Sequence, residues 1–126
     1  MRIFETGATR DSDFEKMDFE GFLAPIVIER YAQYMHRHRL QEDGQLRDSD
    51  NWQKMFGDKH QDVCMKSLWR HFFAVWKGYR SGNINEDDIC AAIFNLMAML
   101  YGILRNKNES EKDVLINQAK EAAKYE

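Results

Sequence analysis

Five of the polar side chains in the most apolar part of this 126-residue chain, the stretch from Cys64 to Leu104, are ones a plain hydrophobic bundle does not need. Arg70 and His71 fall inside CMKSLWRHFFAVWKGYR, while Asp87, Asp88 and Asn95 belong to EDDICAAIFNLMAMLYGIL. Asn95 stands two helical turns beyond Asp88, on the same face, amid Ile93, Phe94, Leu96 and Met97. A buried amide left unpaired costs about 1–3 kcal/mol, so Asn95 needs partners. Asp88, Asn95 and an inward His71 would offer oxygen and nitrogen ligands from facing helices. Magnesium prefers oxygen ligands and completes its shell with water and substrate phosphates, and helical bundles build such sites from inward carboxylates. Arg70, in apolar surroundings, calls for a carboxylate or a phosphate. Neighbouring helical residues project about 100° apart, so Arg70 and His71 could flank one pocket.

Each residue also has a plainer role. His71 can fill a core gap with one bonded partner. Asp87 and Asp88, with Glu86, suit the positive end of a helix dipole. Trp52 can stack on a base or close its loop on the core. Arg10, Lys16 and Arg30 can serve a polyphosphate or remain solvated surface charges.

The elements that must position these groups are helical. Residues 1–21 read as an extended arm pinned by Phe14, Met17 and Phe19. Pro25 suits the first turn of a helix, where its missing N–H costs nothing. Leu23, Ile26, Val27, Tyr31, Tyr34, Met35 and His38 then trace one face. A polar loop with Gly44 follows, and Asn51–Trp52 closes it; loops of that length often carry function. A second long helix starts near Asp58 or His60 and runs to about Tyr79, with Val63, Cys64, Leu68, Phe72, Val75, Trp76 and Tyr79 as its apolar stripe. Gly78 and Ser81–Gly82 end it. Asn85 is the expected N-cap of the next helix, with Asp88 as the reaching-back member of a capping box. That helix runs to about Leu104, apolar nearly all round, and is expected to be buried by other helices and by a second subunit. A last, marginal helix over 110–126 starts from Ser110 as N-cap. No strand alternation persists. The expectation is a single all-α domain over 1–126, with core helices over 22–104.

Composition sets the remaining bounds. Apolar residues make up 44% and aromatics 13%, which excludes disorder for most of the chain. The net charge of −3, with scattered basic residues, argues against duplex nucleic acid as a partner. Cys64 and Cys90 lack zinc-site spacing and read as two buried thiols. The N-terminus has no signal-peptide pattern. The longest apolar run, Ile89 to Leu104, falls short of about 20 residues and is broken by Asn95 and Gly102. The expected setting is the cytoplasm, with no membrane partner.

The order of motifs carries a family resemblance. Gly7-Ala8-Thr9-Arg10, Lys16 with Asp18, Glu29-Arg30, Asn51-Trp52, Leu68-Trp69-Arg70-His71, and Glu86-Asp87-Asp88 leading to Asn95 span residues 5–104. Together they resemble small phage-borne proteins of the dATP/dGTP diphosphohydrolase-like family, related to the MazG-type all-α nucleoside triphosphate pyrophosphohydrolases. The resemblance implies a MazG-like helical bundle, a homo-oligomer of dimer size or larger, and a nucleotide ligand in the host cytoplasm. It implies cleavage of purine deoxynucleoside triphosphates to monophosphate and pyrophosphate with Mg²⁺ or Mn²⁺. By the same resemblance His71 and Asp88 are catalytic candidates. Asp87, Asp88 and Asn95 are metal candidates, Arg10, Lys16 and Arg70 phosphate candidates, and Asn51 and Trp52 base or sugar candidates. The EExxE and ExxD motifs of the better-known MazG-type enzymes are absent; His71 and Asn95 stand roughly where acidic ligands are expected.

Three readings follow. The first is a metal-dependent purine (d)NTP pyrophosphohydrolase. The second is a protein that keeps the pocket without the chemistry and sequesters a nucleotide or host defence signal, which the missing glutamates favour. The third is a structural protein whose polar residues cap helices and pair internally.

Overall fold

In the computed structural model, which describes residues 2–10 and 16–124, the chain is all-α, with four helices. It divides into two units, Met1–Gln33 and Tyr34–Glu126, with the boundary inside a helix.

In the first unit the described part of the arm holds two short strands and a helical turn. Strands β1 (Arg2–Ile3) and β2 (Thr9–Arg10) pair antiparallel, with Arg2 opposite Arg10. Gly7 takes the positive φ (+87°) that lets the connecting turn close, with Phe4 N–H on Ala8 O at 2.9 Å. Asp18 caps the short α1 (Phe19–Phe22) by accepting from Gly21 N–H at 2.9 Å. Helix α2 (Pro25–Arg37) starts on the expected proline.

In the second unit the last turn of α2 leads into a loop that is itself a small hairpin. Leu40 bridges Leu46, Arg47 N–H bonds Arg39 O at 2.8 Å, and Gly44 (φ +83°) makes the bend. A 3-10 turn over Asn51–Lys54 follows. Helix α3 then runs over His60–Ser81 and α4 over Glu86–Ala123. Gly82 ends α3 in the left-handed conformation, its N–H on the carbonyls of Gly78 and Tyr79. Gly78 lies under the returning chain. A Cβ there would sit 2.6 Å from Asn83 O, so only glycine allows Asn83–Ile84 to cross so closely. Asn85 caps α4 as expected, accepting from Asp87 N–H at 2.8 Å.

The antiparallel α3–α4 hairpin meets through small and polar residues. On α3 these are His60, Cys64, Ser67 and His71; on α4 they are Asp88, Ala91, Asn95, Ala98 and Gly102. His60 is buried: its Nδ1 accepts from Phe56 N–H at 3.2 Å, so Nε2–H donates to Ala98 O at 2.8 Å. Gly102 makes room for that ring, since a Cβ there would stand 3.1 Å from His60 Cδ2. Gln61 Nε2–H donates to Met99 O at 3.0 Å.

Two expectations need correction. The large side chains expected on the buried face of α3 are mostly outside it: Val63, Phe72, Trp76 and Tyr79 are exposed, Tyr79 at 68%. Small side chains allow the backbones to approach closely, and the bulky residues are rotated away from that contact. The break after Leu104 does not occur either. Arg105–Ser110 contains neither Gly nor Pro, Arg105 pairs with Glu109 one turn on, and α4 continues unbroken. At about 1.5 Å per residue its 38 residues reach about 57 Å, against about 33 Å for the 22 of α3. By length and composition α4 also passes the test for a membrane-crossing helix, a test that core helices of soluble proteins pass too.

Candidate functional site

Polar groups gather in the second unit where α4 begins, beside the middle of α3 and the last turn of α2. His71 Nδ1 lies 3.0 Å from Asp88 Oδ1, with the two side chains 37% and 25% exposed. A carboxylate only accepts, so Nδ1 carries the proton and donates. In the neutral ring, Nε2 is then a lone-pair acceptor with no hydrogen-bond partner among the described residues. Asp88 is therefore an orienting partner for the imidazole and not the reaching-back half of a capping box.

Asp87 projects about 100° from Asp88 and meets Arg37 instead, Nη2 to Oδ1 at 2.6 Å. Tyr34, one turn before Arg37, is buried with its ring 4.2 Å, centroid to centroid, from His38. Burial pushes its phenol pKa above the ordinary value, and the charges of Asp87, Cys90 and Asp88 push the same way. Two turns along α4 from Asp88, Asn95 is 5% exposed and spends both amide protons inside the hairpin, on Ser67 Oγ at 3.2 Å and Ala91 O at 2.8 Å.

The expected site residues therefore separate. His71 and Asp88 come together as anticipated. Arg70 is exposed on the outer side of α3, because turning His71 toward α4 rotates its neighbour out of the seam. Trp52 packs edge-on against Phe94 and Tyr101, with centroids at 6.1 and 5.1 Å, which is the loop-closing role. Asn51 begins that turn with its N–H on Asp48 O. Arg10 and Lys16 belong to the first unit, both exposed.

Asp87, Asp88 and Asn95 each face a different partner: Asp87 meets Arg37, Asp88 meets His71, and Asn95 donates to Ser67 Oγ and Ala91 O. No group of three His, Cys, Asp or Glu side chains among the described residues is placed to hold a metal. Of the three carboxylates in the first turn of α4, Asp87 already faces the Arg37 guanidinium and Asp88 the His71 imidazole.

The sequence reading missed Tyr34 and Arg37 as site residues, and Ser67 as the partner of Asn95. Tyr34 and Arg37 are three apart on the last turn of α2, a spacing that puts them on one side. Ser67 sits one turn before His71, where a short hydroxyl inside an aromatic helix was the available signal.

Cys64 and Cys90 are free and buried, as expected, and burial pushes the Cys64 thiol up from its ordinary range. Comparison of the chain with family models, curated proteins and solved structures finds no match.

Proposed function

We propose that this chain is a cytoplasmic nucleotide-binding protein that seats its ligand at the head of α4 and retains it uncleaved. The observation supporting the location is the His71–Asp88 bond, which occupies Nδ1 and leaves Nε2 uncommitted at a partly exposed junction. Neutral, that nitrogen accepts a hydrogen bond from a sugar hydroxyl or base amine; protonated, it donates to a phosphate oxygen. Arg37, partly exposed beside it, adds a planar donor set suited to phosphate. The pairing of Asp87 and Asp88 favours binding over metal-dependent cleavage.

The second reading is hydrolysis of purine deoxynucleoside triphosphates to monophosphate and pyrophosphate. The same imidazole favours it, because a carboxylate-oriented histidine is suited to take a proton from an attacking water. The motif resemblance supports both readings.

One experiment separates them. The purified protein is incubated with a pool of (d)NTPs and signalling nucleotides, with and without Mg²⁺ or Mn²⁺. Retained and released species are then identified by mass spectrometry. Binding predicts an intact nucleotide recovered after denaturation and retained without metal. Pyrophosphate release would select the hydrolase reading. Neither retention nor turnover of any nucleotide would remove both.

A further inference from the structure

The side of α3 turned away from α4 exposes adjacent residues in pairs, about one pair per turn from Met65 to Arg80. In Trp69–Arg70, Trp76–Lys77 and Tyr79–Arg80 a base directly follows a large aromatic residue, and Lys66 follows Met65 in the same way. Neighbours on a helix project about 100° apart, so the pairs draw two lines side by side, one apolar and one basic. At about 1.5 Å of rise per residue the strip is about 22 Å long.

Its charge is one-sided. From Val63 to Ser81 the helix holds four bases and no Asp or Glu, in a chain whose net charge is −3. Among the described residues no carboxylate pairs with any of the four. The neighbouring acids lie elsewhere: Asp62 is in the first turn of α3, ahead of the strip, and Asp87 and Asp88 face Arg37 and His71.

The apolar line is aromatic and locked along its length. Trp69 stands edge-on to Phe72, with centroids 6.0 Å apart and planes at 86°, and Phe73 edge-on to Trp76, at 5.9 Å and 70°. Lys77 Nζ lies 5.6 Å from the Phe73 ring centre. These contacts leave Trp69 63% exposed and Tyr79 68%.

The occupant of such a strip is anionic, extended and able to take up amphipathic rings. A bilayer with anionic headgroups has all three properties. Trp and Tyr collect at headgroup level, a helix with basic and aromatic sectors lies in the interface plane, and the cytoplasmic leaflet is the negatively charged one. Single-stranded nucleic acid is also long and anionic, but its bases stack on aromatic faces, and here neighbouring rings stand nearly perpendicular to each other.

We infer that the outer strip of α3 docks on an anionic lipid surface, with Trp69, Trp76 and Tyr79 in the interface and Lys66, Arg70, Lys77 and Arg80 on the headgroups. Docking on a surface needs no spanning run, so this amends the expectation of no membrane partner without making α4 a membrane span. The inference is independent of nucleotide binding.

Flotation of the full chain with phosphatidylcholine vesicles, with and without phosphatidylserine, is the test. The chain is expected to float with the phosphatidylserine vesicles, to stay behind with phosphatidylcholine alone, and to be released by high salt. Each base near such a surface is worth roughly fivefold in affinity, so Lys66→Ala with Lys77→Ala is expected to weaken binding by about tenfold or more. Lys112→Ala with Lys120→Ala, which removes the same charge from the far part of α4, is expected to leave it unchanged. Tryptophan emission should shift to the blue on binding and be quenched by brominated acyl chains. Trp69→Ala with Trp76→Ala should abolish that response, since Trp52 is packed against Phe94 and Tyr101. A helical wild-type protein that does not float with phosphatidylserine vesicles would overturn the inference. So would equal flotation without phosphatidylserine, equal effects of the two lysine pairs, unchanged tryptophan emission, or preferential capture by a single-stranded oligonucleotide added as competitor.

Discussion

Gly78→Ala reverses the usual rule for glycine in a helix. Replacing a helical glycine with alanine ordinarily gains about 1 kcal/mol, because the chain loses less entropy on folding. Here the new methyl would meet Asn83 O at 2.6 Å and Ile84 Cα at 3.0 Å. Both atoms are backbone, so no side chain can swing aside. Relief requires the returning strand to move by several tenths of an ångström, weakening the Asn83 N–H bond to Gly78 O, now 2.8 Å. Overpacking of this kind costs about 1–3 kcal/mol, and a weakened hydrogen bond adds up to about 1 kcal/mol. Set against the propensity gain of about 1 kcal/mol, these terms leave a net loss between about 0 and 3 kcal/mol, with a middle value of about 1–2 kcal/mol. For a unit of this size, that lowers Tm by roughly 5–15 °C. Thermal unfolding followed by circular dichroism, at one fixed protein concentration because association shifts Tm, reads it directly. A Gly78→Ala protein as stable as the parent, or more so, would refute the close crossing that sets the register of α3 on α4.

The remaining predictions concern the seam and the site. Asn95→Ala is expected to cost about 1–3 kcal/mol in denaturant unfolding, since Ser67 and Ala91 O lose their partner and a gap opens; any nucleotide retention by the folded variant should survive. Asp88→Asn is expected to weaken nucleotide retention roughly tenfold or more, with little loss of helicity, because the imidazole loses the charge that fixes its tautomer. The folded Tyr34 phenol holds its proton to higher pH than the unfolded one. Unfolding therefore releases a proton above the ordinary tyrosine range, and stability falls as pH rises there; Tyr34→Phe should flatten that fall. Both thiols should resist Ellman's reagent in the native protein and react fully in denaturant.

Much of the fold is legible in the chain because its punctuation is local. Pro25, the Gly82 stop and the Asn85 cap act within one turn, and each stands where its residue type predicts. What escaped depends on packing between elements. Apolar spacing on α3 is satisfied by two different lines of residues, and nothing local says that the small one touches α4. Trp69, Phe72 and Trp76 therefore look like core when they lie outside it. Arg105–Ser110 is polar, which resembles a linker, yet without Gly or Pro the helix has no reason to stop. Within the site, the approach of His71 to Asp88 followed from facing helices. The Arg37–Asp87 pair joins residues 50 apart, a separation that helical periodicity does not address.

The central claim is that Asp88 holds the His71 imidazole with Nδ1 protonated and Nε2 presented to a nucleotide. Nitrogen-15 NMR of the histidine rings, at neutral pH and through a nucleotide titration, measures this most directly. The account predicts a protonated Nδ1 for His71 in the free protein, with the Nε2 resonance moving as nucleotide is added. A ring protonated at Nε2 alone, or one that no nucleotide perturbs, would contradict it.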